Sequence, residues 1–505
     1  MMALLSHSSW LYDTYVGCDM NWYYVCGRAM VRGLVPYVDF TDSKGPLLWL
    51  IYGLGYLASP HSFMGVFWLE CLSLIATLWI ARRLAALLLG ERPLLNALAV
   101  ALLAFALLYT TLEWRCERWC WPLLLYPVYG TMLMATRGAD GCGKAVVLKT
   151  GICMGLAFMM KYSIAAIIAA VALWQLYEAW QQRRASLAAM LGRLVLGTLA
   201  AMAPFLIYLL CRGALAAFVQ EYIVNTLFTI GNLNDMHYAH AGFLHRLYAH
   251  YKMFFGWHVI SWNEVAQGLS GLLFLVVYWK KRYRWVALYC VATCAAIYAL
   301  GFFYYYSEIG NVLIVLGIIA LLTLLQRVPA AATAAVQGVL LGAAVLACLA
   351  YGAFYFDRCS YSFNKHNVER TIYHTSLNIV ARQGRFCCMM YYDAMPAHGD
   401  LGLKAEALPA CRDWARQNGN RERTLRNQRA AIEQRVPDVI VVNRKQADYR
   451  ATQRYLLNHG YHAVTFATAA ELDLWQQGQQ EIFLRHALVA RMAHVSDADV
   501  LLLRR

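Results

Sequence analysis

Residues 152–174 read Ile-Cys-Met-Gly-Leu-Ala-Phe-Met-Met-Lys-Tyr-Ser-Ile-Ala-Ala-Ile-Ile-Ala-Ala-Val-Ala-Leu-Trp. Lys161 stands alone in this apolar run. A single cation there predicts a break between two short membrane helices. Such breaks are tolerated only where they are buried in protein or line a cavity. A buried cation facing a cavity suits a phosphate, and the alternative is a purely structural lysine.

The rest of the chain agrees with a membrane setting. It has 505 residues, 60% hydrophobic and 14% charged, far below the charge fraction of a soluble protein, about 25%. Apolar runs long enough to span a bilayer fall at roughly 65–81, 93–110, 119–136, 146–160, 162–178, 193–211, 264–279, 285–303, 309–325 and 333–355. The loops between them sort by charge. Those holding Arg82-Arg83 to Arg92, Arg137 to Lys144, Arg183-Arg184 to Arg193, Lys280 to Arg284, and Gln326-Arg327 are basic. They alternate with poorer loops at 111–118, Met160-Lys161, 212–263 and 304–308. The positive-inside rule puts the basic loops in the cytoplasm. The net charge of +15 is therefore read as topology, and no nucleic-acid partner is expected. Sixteen Trp and 33 Tyr fit interfacial belts.

Residues 47–58 (LLWLIYGLGYLA) are apolar but too short to span, and Pro46 and Pro60 bound them. Counting them as a span would invert every later loop, so they are expected to lie flat on the outer surface. The N-terminus then falls outside, and a further helix is expected upstream in a complete chain. Residues 356–505 are polar and carry a buried-strand pattern, Val439 to Val442, flanked by helical stretches at 421–434 and 445–459. They read as a small α/β domain outside the membrane. Cys387, Cys388 and Cys411 lie in it and are open to disulfide formation if it is exported.

Charges gather at the outer boundary. Asp19 precedes a stretch, Trp22 to Val31, expected to be amphipathic and to run along the surface. A partly desolvated carboxylate there suits a general base on a hydroxyl, and a helix N-cap is the competing reading. Asp39, Asp42 and Lys44 follow in a loop rich in Gly, Pro and Tyr. Lys44 can meet a phosphate as a compact cation or snorkel to headgroups. Glu113, Arg115, Glu117 and Arg118 abut Trp119 and Pro122, where charge is costly unless paired. His237, His240, His245 and His250 have no metal-site spacing. No phosphate-binding loop, dinucleotide fingerprint or nucleophile elbow is present, so nucleotide use is not expected.

The stretches Gly17-Cys18-Asp19 and Gly33–Pro46 (GLVPYVDFTDSKGP) together resemble the first extracytoplasmic loop of bacterial GT-C glycosyltransferases. The branch is the one grouped with protein O-mannosyltransferases and lipid A aminoarabinose transferases. Cys116–Pro122 (CERWCWP), Gly151–Tyr162 (GICMGLAFMMKY) and Glu221–Asn225 (EYIVN) are similar to further family stretches. Arg118 stands where a second glutamate is expected, and the region of Ser307-Glu308 lacks an expected His-Tyr pair.

The resemblance implies a mainly α, GT-C-like polytopic bundle with interfacial helices. Its expected parts are a first loop (1–63), a transmembrane domain (64–355) and the extracytoplasmic α/β domain (356–505). It implies Asp19 as catalytic base, Lys44 and Lys161 at the donor phosphate and Glu117 as a second acidic position near the cavity; Asp39, Asp42 and Arg246 are further residues expected to bind substrate. The donor would be a polyprenyl-phosphate-linked sugar and the acceptor a hydroxyl of unidentified glycan, lipid or protein. Membrane lipids would surround the enzyme in the bacterial inner membrane, its site facing the periplasm. No cofactor is required, with a divalent cation left open. A transporter or flippase of lipid-linked sugars is the alternative.

Overall fold

The computed structural model describes residues 2–6, 8–11, 18–40, 44–110, 117–137, 139–181, 186–230, 262–279, 306–327, 330–360, 387–390, 406–408, 429–430, 432–433, 439–443, 449–467, 480–486 and 501–504. Its helices are α1 (Met2–Leu5), α2 (Cys18–Val31), α3 (Pro46–Ala58), α4 (Met64–Leu89), α5 (Pro93–Thr110), α6 (Glu117–Arg137), α7 (Ala139–Phe158), α8 (Tyr162–Gln181), α9 (Leu187–Cys211) and α10 (Leu215–Phe218), then a π-helix (Val219–Ile230). After these come α11 (Trp262–Tyr278), α12 (Tyr306–Leu325), α13 (Ala330–Ser360) and α14 (Tyr449–Asn458). Each expected span except 285–303, which lies outside the described residues, falls on a helix.

Among the described residues two helices, α4 and α9, are long and apolar enough to cross a membrane. The outer faces carry a physical sign of lipid. On α4, Trp68, Leu72, Ile75 and Trp79 are exposed at helical spacing, as are Leu269, Leu272 and Val276 on α11 and Val339, Leu346 and Leu349 on α13. Contiguous apolar faces of this kind suit hydrocarbon rather than water.

The chain divides into two compact units. One comprises Met1–Met2, Ser43–Leu47 and Glu70–Gly352; the other comprises Ala3–Asp42, Leu48–Leu69 and Ala353–Arg505.

In the first unit, α7 packs against α6, α8 and α9. Val146, Val147, Ala172, Leu176, Met190 and Leu194 fill the space between them. The α7–α9 contact rests on the small residues Gly151, Gly155 and Gly197. A Cβ on any of them would overlap a backbone carbonyl of the facing helix. Close backbone approach of this kind is how lipid-embedded helices gain packing without a hydrophobic driving force. Gln175 on α8 adds a polar link, donating Nε2 to the Pro127 carbonyl (3.0 Å) and Thr131 Oγ1 (3.1 Å) on α6. The loop expected at 137–144 is largely helix, since α7 begins at Ala139 and Lys144 is an exposed helical residue. Helices outlast the hydrocarbon core, so a charge boundary does not mark a helix end.

In the second unit α2 departs from the amphipathic surface helix expected at Trp22 to Val31. Trp22, Tyr23, Tyr24, Val25, Cys26, Arg28 and Ala29 are all buried. The reason is a tight crossing with α3. A Cβ at Gly27 would lie 2.5 Å from Gly53 N, and one at Gly53 would lie 2.6 Å from Val31 Cγ1. Aromatic rings complete the enclosure, with Tyr23 against Tyr52 (5.6 Å), Tyr24 against Phe63 (4.6 Å), and Tyr37 and Phe40 each 5.1 Å from Trp49. Gly33, at φ +97°, ends α2. Its N–H bonds the Met30 carbonyl (3.0 Å) and Leu34 N–H bonds that of Ala29 (3.0 Å), a Schellman stop.

The same unit holds strands β1 (Cys387–Met390), β2 (Glu406–Leu408), β3 (Val439–Asn443), β4 (Tyr461–Ala467), β5 (Gln480–Arg485) and β6 (Leu501–Arg504). They form one mixed sheet in the order β2-β1-β3-β5-β4-β6. β1 pairs in parallel with β2 and β3, and the other pairings are antiparallel. Leu456 of α14 packs on Ile440, Tyr461 and Ala463. The expected strand at 439–442 is therefore one of six, and the helix expected at 445–459 is described as α14.

Candidate functional site

The site begins with the interruption at Lys161. α7 stops at Phe158 and α8 starts at Tyr162. Met159, Met160 and Lys161 turn between them, with Met160 N–H and Lys161 N–H both bonded to the Ala157 carbonyl (3.1 and 2.6 Å). In an unbroken helix the carbonyls of Phe158, Met159 and Met160 would take N–H groups four residues on. Here Ile164 N–H goes to the Lys161 carbonyl instead (3.1 Å).

Other segments satisfy the three carbonyls. Tyr222 Oη donates to Phe158 O (2.5 Å). Leu47 N–H donates to Met159 O (2.9 Å), and Gly45 N–H to Met160 O (3.0 Å). An apolar interior leaves backbone groups little other choice. The Lys44-Gly45-Pro46 sequence suits its part. A Cβ at Gly45 would overlap the Met159 carbonyl and lie 2.9 Å from Met160 N. Pro46 then opens α3 with a residue that has no N–H to waste.

Lys44 and Lys161 thus flank one pair of hydrogen-bonded residues, Gly45 and Met160. They are 5% and 3% exposed, and Glu221, next to Tyr222 on the π-helix, is 2% exposed. Tyr222 packs its ring against Phe158 (5.7 Å), Tyr162 (6.2 Å) and Phe218 (5.3 Å). Cys120 Sγ lies 3.2 Å from Met160 Sδ, which brings in the first turn of α6. Glu117 is the first residue of that helix. Two cations and a carboxylate therefore sit beside a broken helix, all of them withdrawn from water. Buried ions are retained at high cost unless they are paired.

Among the other expected residues, Asp19 lies in the first turn of α2. Asp39 is exposed and closes the turn before it, its Oδ2 accepting from Val35 N–H (2.7 Å), with Tyr37 at φ +66°. Asp42 and Arg246 lie outside the described residues. Asp19 and Asp39 belong to the second compact unit, whereas Lys44, Glu117 and Lys161 belong to the first.

Glu221 and Tyr222 were not among the expected site residues. A carboxylate inside the apolar stretch Val-Gln-Glu-Tyr-Ile-Val was the available signal for Glu221. Arg28 of α2, expected on a surface helix, is buried. Burial pushes the neighbouring Tyr24 phenol above its ordinary range, against the pull of Arg28.

No protein-family model matches the chain, and no curated protein sequence does. Among solved structures the chain is similar to a crystal structure of ArnT from Cupriavidus metallidurans bound to undecaprenyl phosphate. The two are 15% identical, the match covers 78% of this chain and 72% of that one, and the TM-score is 0.42.

Proposed function

We propose that the protein is an integral-membrane inverting glycosyltransferase that uses a sugar carried on a polyprenyl phosphate. The observation behind this reading is the bond between Gly45 N–H and Met160 O, which joins the segments bearing Lys44 and Lys161. In the reaction, the donor's hydrocarbon tail lies in the bilayer between helices. Lys44 and Lys161, helped by Arg246, hold the phosphate that links tail to sugar. Asp19 accepts the proton of an acceptor hydroxyl as its oxygen bonds to the anomeric carbon. The carbon–oxygen bond to phosphate breaks, and its electron pair leaves with the lipid phosphate. Neutralising that leaving group and aligning the two reactants supply most of the barrier reduction. The site and the α/β domain face the periplasm of a bacterial inner membrane.

Purified protein in detergent, given a radiolabelled polyprenyl-phosphate sugar and candidate acceptors, tests the reading. Lys44→Gln and Lys161→Gln are each expected to lower kcat/KM by about 100-fold or more, with unchanged elution on size exclusion. Turnover near that of the native protein in both variants would remove the lysine pair from the mechanism.

A further inference from the structure

A second basic feature lies at the N-terminal end of α5. There a groove of 790 Å³ opens along α4 and α5. Arg82, Arg83 and Arg92 line it, with Glu91 as the acidic residue among the described lining. Its lining also includes Ala97 and Ala101, one turn apart on α5. The Arg83 guanidinium lies 5.2 Å from the centre of the exposed Trp79 ring.

The turn carrying Arg92 is firmly built. Gly90, at φ +83°, lets the chain reverse. The Gly90 carbonyl accepts from Arg92 N–H (2.9 Å) and from Asn96 Nδ2 (3.1 Å), and the Leu89 carbonyl accepts from Gln326 Nε2 (2.8 Å).

We propose that this groove binds an anionic phospholipid. Three guanidinium groups against one carboxylate attract a phosphate, and guanidinium geometry matches phosphate oxygens in pairs. The alanines of the α5 wall leave room for an acyl chain but offer a free phosphate nothing. A tryptophan beside the arginines sets the depth at which headgroup and chain meet. Basic pockets between membrane helices recognise anionic headgroups by this combination. The inference does not depend on sugar transfer.

Native mass spectrometry of the full chain in detergent tests it, with phosphatidylglycerol and phosphatidylcholine of matched chains as probes. The native protein is expected to bind phosphatidylglycerol about tenfold more tightly, or 1.4 kcal/mol. Arg83→Gln with Arg92→Gln should bring the two lipids level. Ala101→Phe, which narrows the groove and leaves the charges, should also weaken phosphatidylglycerol, while Lys144→Gln on an exposed face should not. Equal uptake of the two lipids by the native protein would overturn the proposal, as would unchanged preference in the double arginine variant. Full displacement of the lipid by millimolar inorganic phosphate would reassign the groove to a soluble anion and likewise overturn it.

Discussion

Lysine 161 shows how one residue shapes a site through its backbone as much as through its charge. The helix gives up three carbonyls around it, and Tyr222, Leu47 and Gly45 take them. Tyr222→Phe removes one of those donors and leaves the Phe158 carbonyl short of a partner. A buried unsatisfied group costs about 1–3 kcal/mol, so the variant should melt several degrees lower than the native protein in a thermal-shift assay. A melting point within a degree of native would show that the tyrosine is not what holds the interruption. Aspartate 19 is a different kind of residue, proposed for chemistry rather than structure. Asp19→Asn is expected to lower kcat by about 100-fold or more while the KM for donor changes little, because a base acts only in the transition state. The lysine variants, by contrast, should raise the donor KM as well.

Helix pairs are held by glycine in each of the two units. α2 and α3 cross at Gly27 and Gly53, and α7 and α9 at Gly151, Gly155 and Gly197. The second crossing positions the end of α7, and with it Met159 to Lys161. Gly155→Val would force α7 away from the Thr198 carbonyl. Overpacking of this kind costs about 1–3 kcal/mol. The variant should therefore lose both stability and turnover, whereas Gly192→Ala, at an open position on α9, should leave the melting temperature within about a degree. Equal melting of the two variants would mean that the helices do not depend on that contact.

At the scale of the whole molecule, the two ends of the first unit differ in charge character. One end holds Lys44, Lys161 and Glu221 around the broken helix. At the other, the last turns of α4, with Arg82 and Arg83, and the turn with Arg92 meet the end of α12, where Gln326 donates to the Leu89 carbonyl. α5 leads from one end toward the other. Its 18 residues rise about 27 Å, close to the hydrocarbon thickness of a bilayer. The topology expected from charge alternation would put the arginine end in the cytoplasm. In a single-cysteine background, a membrane-impermeant maleimide added to spheroplasts should label the exposed Cys211 at the end of α9. A cysteine introduced as Lys144→Cys should react only after permeabilisation. The reverse pattern would put the lysine junction on the cytoplasmic side and end the proposal of periplasmic sugar transfer.

Much of this was legible in the residues alone, because hydropathy and charge alternation are local quantities. The helices at the expected spans, the interruption at Lys161, the short helix at 47–58 and the strand at 439–442 all follow from runs that a bilayer or a sheet makes obligatory. What the chain order could not supply was which of those pieces touch. Nothing local in Trp22 to Val31 says that α3 covers it, since that cover depends on two glycines more than twenty residues apart. Nothing local assigns Gly45 and Leu47 to the carbonyls of Met159 and Met160, or Tyr222 to Phe158. Hydrogen-bond accounting of a broken helix closes only in three dimensions, and there the tertiary structure alone decided that Lys44, Lys161 and Glu221 share one neighbourhood.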